Sequence, residues 1–125
     1  MKKAVFIVEK TNTGYSAYSE NYNAATTGDT YEELKINMLD SLNLLLEHEG
    51  KKLATLNDIT IKFDLQQFLS YYNGINISII SKKYKLNNSL ISQYKSGEKY
   101  PSEEQARKII ESIKSYGEEL ASIDL

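Results

Sequence analysis

Hydrophobic and polar positions follow two rhythms along this chain. Ala4–Val8 is an almost continuous, β-branched apolar run, which predicts a central strand. Thr11–Gly14 has the composition of a tight turn, and Tyr15–Ser19 alternates as a second strand. Asn21-Tyr22-Asn23 interrupts that alternation, and Ala24–Gly28 follows as a short third strand, so the spacing predicts an antiparallel meander. The period changes at Thr30. Thr30-Tyr31-Glu32-Glu33 reads as a capping box, and Leu34, Met38, Leu42 and Leu45, flanked by Leu39 and Leu46, form the apolar stripe of a helix. Gly50 ends it after about Glu49. Gly50–Asp58 is then expected to be a loop anchored by Leu53 and Leu56, and Ile59–Phe63 a cleanly alternating fourth strand.

From Asp64 onward the pattern is helical, with frequent polar punctuation. Asp64 caps a helix over Leu65–Tyr72, with Leu65, Phe68, Leu69 and Tyr72 inward, and Asn73-Gly74 stops it. Two short helices follow, Ser78–Tyr84 and Asn88–Ser96, joined by a turn in which Leu86 is an apolar plug and Asn87 an N-cap. Ile79, Ile80 and Tyr84 are expected to be buried on the first, and Leu90, Ile91 and Tyr94 on the second. Gly97 supplies the positive φ that ends the pair. Ser102 and Gln105 make a second capping box for a last helix carrying Ala106, Ile109, Ile110, Ile113, Leu120 and Ile123. Gly117, inside that pattern, predicts a kink or a close helix contact. The expected fold is α+β: a β-β-β-α-β unit over residues 1–63, then an all-α unit over 64–125.

Composition narrows the function classes. At 125 residues, 41% hydrophobic and 26% charged, the chain has room for one ordinary domain or two small ones sharing a core. No apolar run approaches the ~20 residues of a membrane helix, and MKKAVFIVEK lacks the features of a secretion signal. The absence of cysteine removes disulfides and thiolate metal sites and fits a cytoplasmic protein, and the single histidine, His48, leaves zinc or triad chemistry little to work with. Charge changes the picture more when it is divided. Residues 1–58 hold six lysines against nine acids (−3), and residues 59–125 nine basic residues against eight acids (+1). Within 76–99, Lys82, Lys83, Lys85, Lys95 and Lys99 face Glu98 alone, giving +4 in a chain of net −2.

That positive region coincides with the short helix pair. Asn88, Ser89, Ser92 and Gln93 form the polar side of the second helix, with Lys82, Lys83, Lys95 and Lys99 around it. Asn and Gln suit adenine edges, Ser donates or accepts, and lysines suit phosphates, so this set predicts a helix that reads bases in the DNA major groove. A single such unit reads a half-site, which predicts a homodimer; the surplus apolar positions Ile113, Leu120 and Ile123 place its contact on residues 105–125. Two rival patterns are weaker. A two-metal nuclease would need carboxylates such as Glu9, Glu20, Asp29, Asp40 and Glu47 to converge, yet the first strand is apolar throughout, so neither a metal nor an enzyme is expected. Tyr15, Tyr18, Tyr22 and Tyr31 could stack RNA bases, but no basic residue interleaves them. No cofactor site is evident in the sequence.

Two stretches carry a family resemblance. The strand followed by Gly14-Tyr15-Ser16-Ala17-Tyr18 and then Ala25–Leu34 resembles a HicB-type antitoxin. Asn88–Tyr94, Ser96-Gly97 and Tyr100-Pro101-Ser102-Glu103 resemble the lambda-repressor-like helix-turn-helix fused to some HicB proteins. The resemblance implies a partial ribonuclease-H-like N-terminal domain that caps a small RNA-cleaving HicA-type toxin, and repression of the protein's own operon. Family members usually carry a proline-glycine loop between strands two and three, where this chain has Ser19–Asn23. Glu9, Tyr18, Glu20, Tyr22 and Asp29, at strand ends or turns outside the leucine stripe, are the partner-binding residues expected on this basis. The main alternative is a stand-alone repressor whose N-terminal domain senses a ligand or another protein.

Overall fold

The computed structural model describes all 125 residues as an α+β protein. Strands β1 (Ala4–Lys10), β2 (Tyr15–Ser19) and β3 (Ala25–Gly28) precede the long helix α1 (Tyr31–His48). A single 3-10 turn at Leu56–Asp58 leads into β4 (Ile59–Phe63), and four helices complete the chain: α2 (Leu65–Tyr71), α3 (Ile77–Lys83), α4 (Asn88–Lys95) and α5 (Glu103–Ala121). The sheet is mixed, in the order β3-β2-β1-β4, with the expected meander and with β4 parallel to β1. A parallel return needs a crossover, and α1 supplies it. No helix is long and apolar enough to cross a membrane.

Strand alternation gives the sheet two unlike faces. Ala4, Phe6, Val8, Ala17 and Phe63 are buried on the inner face, against Leu34, Met38, Leu42 and Leu46 of α1. The stripe closes on Leu46 rather than Leu45, which is half-buried; the buried positions recur every four residues, so the stripe winds gradually around the helix axis. Thr30 accepts a hydrogen bond from the Glu33 N–H, and Gly50, at φ +68°, ends the helix. The inner core does not stop at β4. Leu65, Phe68, Ile77, Ile80, Ile91, Tyr94, Ala106 and Ile109 belong to the same buried cluster, and Asp64 alone separates β4 from α2.

Several expected positions differ. Leu53 and Leu56 do not anchor the loop after α1; they are about half exposed (53% and 51%) and Ala54 is buried instead. Asn43 is the cause, because its side chain accepts from the Ala54 N–H at 2.7 Å and donates to the Ala54 carbonyl at 3.1 Å. On α3, which starts at Ile77 under an Asn76 cap, Ile77, Ile80 and Ser81 are buried and Tyr84 half-buried, the i, i+3, i+4, i+7 face, which leaves Ile79 exposed. Tyr72 falls beyond α2 and is 40% exposed, packed edge-on against Phe68 rather than buried. Gly117 makes no close contact: α5 runs through it unbroken, and a Cβ there would meet open space.

Candidate nucleic-acid interface

The helix pair α3–α4 is built from short elements held by polar ties. Asn76 and Asn87 cap the two helices, accepting from the N–H groups of Ile79 and Leu90. Lys85 takes a positive φ of 58° in the turn, and the Leu86 N–H donates to the Ser81 carbonyl at 2.9 Å. Ser81 itself is fully buried, and its hydroxyl donates to the Asn88 side-chain oxygen, joining α3 to the first turn of α4. At the other end of α4, Gln66 of α2 donates to the Ser96 carbonyl at 3.1 Å. Gly97 follows at φ +80°, where a Cβ would lie 2.6 Å from the Gln66 side chain. Tyr94 donates to Gln105 at 2.8 Å, and the same Gln105 oxygen accepts from the Ser102 N–H, so α4 is tied to the capping box of α5.

These ties settle which expected residues stand free. Only Ile91 and Tyr94 of α4 are buried; Ser89, Ser92 and Lys95 are exposed and Gln93 is half-buried. Asn88 is exposed, but its oxygen is occupied by Ser81, which leaves only the amide N–H groups for a ligand. A bidentate pair with adenine needs both. Asn88 is thus placed to position α4 more than to read a base. Lys82, Lys95 and Lys99 are exposed with no carboxylate within ion-pairing distance, as is Lys85. Lys83 differs. Its ammonium lies 3.2 Å from Glu119 on α5, and the hydrogen bond to that carboxylate raises its pKa. The charge of residues 76–99 is +4 by count, and Glu119 offsets one of those charges.

The expected partner-binding residues fall into two groups. Register places Glu9, Tyr18 and Lys62 on the outer face of the sheet around Ile7, which pairs with Tyr18 on one side and Lys62 on the other. Glu20 reaches Lys62 at 3.6 Å. Burial first, then Tyr100 and the charges of Glu9, Asp64 and Glu20, raise the Tyr18 pKa, which marks these groups as neighbours. Tyr100 and Asp64 therefore join a site that sequence reasoning had not assigned to them. The Phe63 N–H donates to the Pro101 carbonyl at 2.9 Å, and that contact draws Tyr100 to the sheet. Tyr22 and Asp29 stand apart. The Tyr22 hydroxyl donates to the Lys2 carbonyl, and Asp29 lies in the turn before α1. Asn21 also holds the Ser19–Asn23 loop to the first strand, accepting from Val5 and donating to the Lys3 carbonyl.

The remaining candidates do not assemble. No three acidic or histidine side chains come together in a geometry that could hold a metal ion, and His48 ends α1 in its last turn. Tyr15 and Tyr31 do meet, edge to face at 6.0 Å, but as packing beside the core. Comparison of the chain with protein-family models, with curated proteins and with solved structures returns no match.

Proposed function

We propose that this protein is a DNA-binding repressor of the HicB antitoxin type. In this reading α3 and α4 form a helix-turn-helix, with α4 in the major groove, and the sheet unit caps a basic protein partner. The observation that carries the DNA reading is the state of α4: eight residues, about 12 Å long, positioned by four polar ties, with Ser89, Ser92 and Gln93 outward. Lys82, Lys85, Lys95 and Lys99 surround it unpaired, which suits a phosphate backbone. The experiment is anisotropy titration of the full chain against duplexes selected from a randomised pool. A Ser89→Ala, Gln93→Ala double variant should lose about 1–3 kcal/mol for each lost contact and relax the preferred sequence. Lys95→Ala should weaken all duplexes alike and reduce the salt slope by about 1. A wild-type protein that prefers no sequence over any other ends the reading.

Two copies are needed to read a two-fold operator. The apolar residues left exposed on and after α5, Leu120 (49%) and Ile123 (69%), favour a contact through the end of that helix. Light scattering should give a dimer for the wild type and a monomer for Leu120→Lys, Ile123→Lys. The acidic-aromatic outer face supports the partner reading. Glu9, Glu20 and Asp64 against Lys62 leave a net −2 (three acids less one lysine) beside Tyr18 and Tyr100. An RNA-cleaving toxin must be basic to hold phosphate, so such a face gains affinity and fast association from complementary charge. A Glu9→Lys, Tyr18→Ala variant should lose capture of a small basic protein encoded beside this one, with DNA binding intact; unchanged capture removes this face from the interface.

A further inference from the structure

A cleft of about 270 Å3 lies between the inner face of the sheet and α5. Its walls are Tyr15, Ile61 and Phe63 from the sheet, Tyr31 from α1, and Ala106 and Ile110 from α5. Phe63 and Ala106 are buried, but the other four are only half-covered by the protein's own packing. Charged side chains stand at the rim. Glu103 is already committed, accepting from the Tyr31 hydroxyl and pairing with Lys35 at 3.1 Å. Arg107 and Lys114 are exposed and form no ion pair. The charged lining is balanced, Arg107 and Lys114 against Glu103 and Glu111, and Lys35, outside the cleft, occupies Glu103.

An apolar, aromatic-walled hollow with a few charged groups at its mouth is the usual form of a small-molecule site. The volume suits a single ring with a short substituent. Arg107 is the rim group best suited to select the substituent, because a guanidinium matches a carboxylate with two parallel hydrogen bonds. We propose that this cleft binds a small aromatic carboxylate, the ring between Tyr31 and Ile110 and the carboxylate on Arg107. The proposal does not rest on the DNA-binding reading, and binding is measured without DNA.

Amide NMR titration of the full chain with benzoate, benzyl alcohol and acetate separates the contributions. Benzoate should shift the resonances of Tyr31, Ala106, Arg107 and Ile110 saturably, with benzyl alcohol and acetate each weaker by about tenfold or more. Arg107→Gln, a change on an exposed position, should weaken benzoate by about tenfold and leave benzyl alcohol unaltered. Ile110→Trp should fill the cleft and abolish both; if its spectrum shows misfolding, Ala106→Leu takes its place. Linear, unsaturable shifts overturn the proposal, as do equal affinities for benzoate and benzyl alcohol, or an Arg107→Gln variant that binds benzoate as the wild type does.

Discussion

The sheet half and the helix-pair half of this molecule share one buried core but are secured around it differently. Helix α1 has 18 residues, and its stripe of Leu34, Met38, Leu42 and Leu46 is almost wholly removed from water. Helices α2, α3 and α4 have seven, seven and eight residues, well short of the ~12–15 at which an isolated helix becomes even marginal in water. Each opens on a carboxylate or amide cap, Asp64, Asn76 or Asn87, and each is tied to a neighbour by a side-chain hydrogen bond. Gln67 clamps both backbone groups of Lys10 at 2.8 Å, and Ser81 and Gln66 hold the two ends of α4. Burial fixes the first region in bulk, whereas the second adds point ties to its share of the common core. Point ties leave the outer side of α4 with no structural duty, so its residues can be chosen for a ligand.

The largest test of that contrast is whether the helix pair survives without the sheet. Phe6 is fully buried in the cluster that also contains Ile80, Ile91 and Tyr94. Phe6→Ala should cost about 3–5 kcal/mol, and both halves should unfold in one transition because they share that cluster. Urea unfolding followed by amide NMR reads the halves separately. An α3–α4 pair that stays folded after the sheet melts would show that point ties suffice by themselves.

A smaller effect sharpens the same comparison from the other side. Asn87→Ala removes the cap of α4 and should cost about 1 kcal/mol. Hydrogen exchange in α4 should quicken with little change at Phe6 or Val8, since local opening draws on the weakest part of the fold. Uniform acceleration across the chain would mean that caps and core act as a single unit.

This division also marks what was legible in the sequence. Periodicity identified β1 to β4, most of the stripe of α1 and the course of α5 as far as Leu120, because those elements are set by which side is buried; Ile123, read as part of that last helix, lies beyond its end at Ala121. It misjudged Leu53 and Leu56, where a polar group chooses the orientation because Asn43 grips Ala54, and Ile79, because Ile77 sets the buried face of α3 and leaves Ile79 off it. The caps themselves were readable at Thr30, Asp64, Asn87 and Ser102, since a cap acts within a few residues. Ties across the chain were not. Ser81 to Asn88, Lys83 to Glu119 and Tyr31 to Glu103 change which candidate residues are free, and no local spacing encodes them. Pairing of β4 beside β1 is likewise a non-local choice.

The smallest expected effect concerns the joint between the two regions. Glu103, in the first turn of α5, accepts from Tyr31 and pairs with Lys35, both on α1. Partial burial pushes its carboxyl up, but the Tyr31 hydrogen bond, Lys35 and the nearby Arg107 outweigh burial and hold the pKa below the usual carboxylate value. A depressed folded value means that the unfolded chain takes up its proton first as pH falls. The contribution is therefore complete above the ordinary glutamate range near 4.3 and is lost as pH falls through the lower folded value. The pair is about a third exposed, so screening keeps its worth under about 1 kcal/mol. Glu103→Gln should be less stable than the wild type at neutral pH by that small amount, with the gap closing in acid. A gap that persists unchanged at low pH would assign the effect to packing of the side chain, and the charge joint between sheet and helices would be discarded.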